Sequence, residues 1–264
     1  MAKENNIRNI RLLLAYDGTA YQGWQKQKSS PRTIQSVLEN TLHKILQEKV
    51  SVIGSGRTDA GVHAISQVAN FRTCSKLPVK KITDALNALL PGDIRIIDAQ
   101  EVEADFHARF QAKSKVYRYL ILNGPYCPPQ LSGQVYHHYQ KLNLKKMQEV
   151  SLYLKGRHNF KAFCASGSSA KNFIRTIKRI TIIKDSALLK AFGYTNKELS
   201  LINIEIEADG FLYNMVRAIT GMLIEVGRGQ LDSDFILKTI SSKKRGEQIP
   251  TAPAKGLFLL KVSY

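Results

Sequence analysis

The stretch Gly54-Ser55-Gly56-Arg57-Thr58-Asp59-Ala60-Gly61-Val62-His63-Ala64 constrains this chain more than any other. Its three glycines admit backbone conformations closed to other residues and let a ligand come close to the chain. Apolar Val50 to Ile53 leads into the stretch and Ala64 to Phe71 leads out, so two strands are expected to flank it. Between them stand a cation, a hydroxyl and a carboxylate in succession: Arg57, Thr58 and Asp59. A charged cluster on a tight turn between strands is a rigid mount for a reactive group. An isolated Arg-x-Asp is more often a surface ion pair that contributes little. The residues alone therefore leave Asp59 a candidate.

The spacing argues against a phosphate loop. A dinucleotide fingerprint needs a third glycine where Asp59 stands, and a Walker loop needs Lys where Val62 follows Gly61. A carboxylate at the heart of a phosphate cradle would also repel the ligand.

Charge narrows the class of partner. Against 21 Asp and Glu the chain of 264 residues carries 39 Lys and Arg, a formal net charge of +18. Such an excess favours a polyanion, because each phosphate contact releases counterions. Nucleic acid comes first and an anionic membrane surface second. No apolar stretch approaches the length of a spanning helix, and Leu12-Leu13-Leu14 is too short for a signal-peptide core. A cytoplasmic location is expected. Cys74, Cys127 and Cys164 show no paired spacing, and His137-His138 are adjacent rather than three or four apart, so neither a disulfide framework nor a metal is expected.

Strands and helices alternate along the chain. Ile10 to Tyr16 reads as a buried strand ended by Asp17-Gly18. Apolar residues from Ile34 to Leu46 recur on one helical face with Thr33 as N-cap, and a second amphipathic segment runs from Val79 to Leu89. Strands are expected over Ile94 to Ala99 and around Phe106, then over Lys113 to Leu122. In the latter, alternation puts Tyr117 and Tyr119 on one face and Arg118 on the other. Residues 124 to 143 read as a connection, Leu144 to Leu154 as a helix, and Arg175 to Lys184 as a strand with a cationic face. Leu201 to Ala208 is another strand ended by Asp-Gly, Met215 to Val226 a helix, and Leu257 to Val262 a closing strand. The strand, Asp-Gly, two residues, Tyr order occurs at Asp17 and again at Asp209, a faint repeat with chance as its competitor.

Several segments resemble the tRNA pseudouridine synthase A family. Gly56-Arg57-Thr58-Asp59-Ala60-Gly61-Val62-His63-Ala64 matches its active-site motif without interruption. Tyr16-Asp17-Gly18 through Gly23-Trp24-Gln25, then Phe106-His107-Ala108-Arg109-Phe110, then Tyr117-Arg118-Tyr119 follow the family's pattern, as do Met215-Val216-Arg217 and Ala252-Pro253-Ala254-Lys255-Gly256-Leu257. One departure is Asn159, where the family usually has Asp.

The resemblance implies an α+β fold: two related α/β halves with mainly antiparallel sheets flanking a central basic active-site cleft. Residues 1–110 would carry the aspartate loop and 111–264 would carry Arg217 and the closing strand. It implies Asp59 as catalytic nucleophile, Arg217 as its ion-pair partner, and Tyr117, Arg57 and Leu257 as substrate-binding residues. The implied reaction converts uridine to pseudouridine in the anticodon stem-loop of tRNA, at positions 38, 39 and 40, by a homodimer. The base is detached at nitrogen and rejoined through carbon, with no net redox change, so no metal, nucleotide or other cofactor is expected. Two rivals from other classes stand beside it. A non-catalytic RNA-binding protein would leave the Arg-Thr-Asp loop unexplained, and a nucleosidase would want a second carboxylate such as Asp17 or Asp209.

Overall fold

In the computed structural model, residues 7–27, 32–242 and 249–264 are described. The chain forms two compact units, Met1–Lys113 with Leu259–Tyr264, and Ser114–Phe258.

The first unit is built on β1 (Arg8–Tyr16), whose alternate residues Ile10, Leu12 and Leu14 are completely buried. Next come α1 (Ile34–Leu46), β2 (Ile53–Gly54), β3 (His63–Thr73), α2 (Val79–Leu89) and β4 (Ile94–Val102). β1 lies between β3 and β4, antiparallel to both, and β2 pairs with β3 through Ile53–Asn70 and Gly54–Ala69. Thr33 caps α1 as its spacing predicts, accepting from Ser36 N, while Ile34, Leu38 and Leu42 supply the buried face.

The strand expected around Phe106 is absent; residues 103–111 form turns. Side chains from the sheet explain this. Asn9 Nδ2 donates to the carbonyls of Glu103 (3.0 Å) and Phe106 (2.8 Å), and Asn70 Oδ1 accepts from Ala108 N at 3.0 Å. Buried amides thus satisfy backbone groups that a ladder would otherwise take.

The second unit contains β5 (Ser114–Asn123), β6 (Tyr136–His138), α3 (Leu144–Ser151), β7 (Gly156–Asn159), β8 (Ile174–Lys184), α4 (Ala187–Ala191), β9 (Ser200–Ala208), α5 (Met215–Gly227) and α6 (Ser233–Ser242). Its sheet runs β5-β9-β8-β7, antiparallel throughout, with the short β6 joined parallel to β5 inside the expected connection. α5 is buried nearly all round, with Arg217 and Glu225 its half-buried positions. The last strand, β10 (Leu257–Ser263), passes from the second unit into the first at Leu259. The architecture is thus mixed α and β with mainly antiparallel strands, as the resemblance implied.

Candidate active site

The loop carrying Asp59 is held by buried side chains beneath and by the backbone at its flanks. Tyr16, at the end of β1, brings its hydroxyl within 2.8 Å of Thr58 Oγ1. Gln67, fully buried on β3, donates to the Gly56 carbonyl at 3.0 Å and accepts from Ser55 Oγ at 2.6 Å. Trp24 N donates to the Thr58 carbonyl at 3.0 Å, and Gly61 N to the Tyr21 carbonyl at 3.2 Å. Val62 N closes the turn on the Asp59 carbonyl at 3.1 Å. Gly61 takes φ +75°, a left-handed turn position that glycine fills without strain.

Asp59 itself is half-buried, and Arg57 is exposed, its Nε donating to Gln25 Oε1 at 3.0 Å. Gln25 is braced in turn by Gln35, whose amide reaches Glu39 and the Val52 carbonyl. Neither Gln25 nor Gln67 stands out by residue type. Only Gln25, inside the Gly23-Trp24-Gln25 match, carried a signal that could have found it.

Asp17 and Asp209 are each engaged in shaping the backbone. Asp17 Oδ1 accepts from Thr19 N at 2.9 Å and lies 3.2 Å from His63 Nδ1, while Asp209 Oδ1 accepts from Thr176 N at 3.0 Å. The first closes its own turn and the second reaches across to β8, so the two Asp-Gly corners differ in detail.

The second unit carries Tyr117, Arg217 and Leu257. Tyr117 is buried on β5, with the Phe211 ring edge-on at 5.0 Å. Arg217, half-buried in the first turn of α5, donates from Nε to the Ala252 carbonyl at 2.7 Å and from Nη1 to Asn214 Oδ1 at 2.9 Å. Tyr119, fully buried, donates to the Pro253 carbonyl at 2.7 Å, and a Cβ on Gly256 would come within 2.8 Å of its ring. Burial pushes the Tyr119 phenol far above its ordinary pKa, so it stays a donor. Buried Leu257 follows directly. Residues 211–217 and 250–257 thus contact Tyr117 and Arg217 and include Leu257.

Asn159 Oδ1 accepts from Lys161 N at 3.0 Å at the end of β7. This bond needs an oxygen acceptor and no charge, so Asn can fill the position as Asp would. Among the described residues, no group of three or more His, Cys, Asp or Glu could hold a metal ion, and no helix is long and apolar enough to cross a membrane.

The family model described as tRNA pseudouridine synthase matches residues 13–111 and 150–264. A match of that extent defines the class as pseudouridine synthases. Similar proteins agree over their full length. A tRNA pseudouridine synthase A of Acetivibrio thermocellus is 46% identical over 258 residues, covering 98% of this chain and 100% of the relative. One from Thermoanaerobacter sp. (strain X514) is 45% identical with the same coverage, and a tRNA pseudouridine synthase A 2 of Clostridium tetani is 43% identical, covering 97% and 99%. The chain belongs to the tRNA pseudouridine synthase A family.

Proposed function

We propose that this protein converts uridine to pseudouridine in the anticodon stem-loop of tRNA, at positions 38, 39 and 40, and that it acts in the cytoplasm as a homodimer. Family membership supports the reaction, and the net charge of +18 supports a polyanionic substrate. The observation that carries the reading is the mounting of Asp59, in an intact Arg-Thr-Asp loop fixed from β1, β3 and the segment around Trp24.

Asp59 supplies the carboxylate nucleophile. The C1′–N1 bond breaks, the detached uracil turns and a C1′–C5 bond forms; the C5 proton is released to water, N1 takes one up, and any bond the carboxylate made to the substrate is broken again before the product leaves. A carboxylate suits this task while ionised, and a nearby guanidinium favours ionisation. Arg217 takes that part, its head aimed by Ala252 and Asn214. Arg57, extended by Gln25, holds the displaced nucleotide, Tyr117 contacts uracil, and Leu257 walls the pocket. In this reading, residues 1–110 and 111–264 act as two related halves, one bringing Asp59 and the other Arg217. Taking a base from its stack costs a few kcal/mol, offset by contacts between cationic side chains and phosphates.

Tritium release from tRNA carrying carbon-5-labelled uridine tests the reading. Release with pseudouridine as product supports it. Free uracil as product, or no release with tRNA bound, contradicts it.

A further inference from the structure

We propose that Tyr16 is a positioning residue for the reaction, setting the Asp59 carboxylate through the hydroxyl of Thr58; this rests on Asp59 being the catalytic carboxylate. Tyr16 is buried, with the Trp24 ring 6.2 Å away. Its oxygen has two neighbours of different kinds: Thr58 Oγ1 at 2.8 Å and Gln67 Nε2 at 3.5 Å, the outer reach of a hydrogen bond. An amide N–H only donates, so the phenol oxygen accepts from Gln67, and it shares a second, shorter hydrogen bond with Thr58 Oγ1 in which either hydroxyl can be the donor.

Thr58 is then held at two points. Its carbonyl accepts from Trp24 N at 3.0 Å, and its side chain is fixed from β1 by Tyr16. Gln67 adds bonds at Ser55 and Gly56, so three of the four residues before Asp59 are tied down by buried groups. Fully satisfied buried networks are rigid. Burial also drives the Tyr16 phenol far above its ordinary pKa, so the hydroxyl stays protonated. A catalytic carboxylate must be held to about 0.5 Å, and a misplacement of about 1 Å can cost on the order of 10²-fold in rate. The hydrogen bond between Tyr16 and Thr58 supplies that precision at the residue next to Asp59.

Tyr16→Phe removes one oxygen and keeps the packed ring. Measured as pseudouridine formed per folded enzyme, kcat should fall roughly 10- to 100-fold, with KM for tRNA little changed and only a modest drop in the melting midpoint from the lost buried hydrogen bond. Thr58→Val should match it, Thr58→Ser should restore most of the rate, and the Tyr16→Phe/Thr58→Val pair should be no slower than Thr58→Val alone. Turnover of Tyr16→Phe within about twofold of the parent overturns the proposal. So does a loss confined to the melting midpoint with kcat intact, or a Thr58→Ser variant as slow as Thr58→Val. Asp59→Asn is assayed alongside. If it still turns over, the assignment of Asp59 has failed; if it is inactive while Tyr16→Phe is active, only the role of Tyr16 has failed.

Discussion

Arg217 and Ala252 hold each other from both sides: Arg217 Nε donates to the Ala252 carbonyl at 2.7 Å, and Ala252 N donates to the Arg217 carbonyl at 3.1 Å. The first turn of α5 and the segment leading to Leu257 are thereby joined through one residue. A guanidinium can serve Ala252 and Asn214 from separate nitrogens in one plane, whereas an ammonium is a point charge with no such fork. Arg217→Lys should therefore lower kcat on the order of 10²-fold while tRNA affinity changes little. Steady-state kinetics with direct tRNA binding decide it, and full turnover by the lysine variant contradicts it.

Gly23 lies at φ +84°, and a Cβ there would stand 2.6 Å from the Thr58 carbonyl oxygen and 3.1 Å from the Asp59 carbonyl carbon. Gly23→Ala combines backbone strain with a clash against the Asp59 loop, a destabilisation of about 1–3 kcal/mol with activity lost in parallel. Gly92→Ala, with nothing within 4 Å of the added carbon, is the control expected to be neutral. Urea unfolding of the two variants checks this, and equal midpoints would contradict it.

Much of this was readable from local pattern. Thr33 before an apolar helical face, and Asp-Gly after β1 and β9, are signals contained within a few residues. What escaped depends on distant partners. β7 is four residues long and exists through pairing with Ile174–Ile177 of β8, which no window on residues 156–159 contains. Phe106 has the composition of a strand, yet Asn9 and Asn70, remote in sequence, take its backbone into a turn. The same limit applied at the site. The turn carrying Asp59 was legible from its glycines, but the hydrogen bonds that Gln67 and Tyr16 make to that loop span 11 and 42 residues.

Salt should weaken tRNA binding steeply. With a net charge of +18, several phosphate contacts are expected, and each steepens the fall of log affinity with log salt by roughly 0.7–0.9. A filter-binding titration gives the slope. A flat response would mean that the charge serves something other than tRNA.

His138 is buried, and its Nε2 has no hydrogen-bond partner among the described residues. Burial first, then the Arg228 and His137 charges, hold its pKa below the ordinary value against the opposing pull of Glu225. The unfolded chain therefore takes up the proton first. The stability this contributes is complete above roughly pH 6.5 and declines as pH falls from there toward the lowered folded pKa. The melting temperature should drop over that window, and His138→Phe, which keeps a ring beside Tyr136 and Tyr139, should flatten the drop. Equal slopes in the two proteins would rule out His138 as the source.

The most direct measurement is pseudouridine formation by Asp59→Asn at saturating tRNA, with affinity measured on the same preparation. Asparagine keeps the size and shape of the side chain and removes only its charge and nucleophilicity. Turnover should fall by at least about 10³-fold while the dissociation constant for tRNA stays within about twofold. A variant that forms pseudouridine at a rate near that of the parent would contradict the central role of this carboxylate.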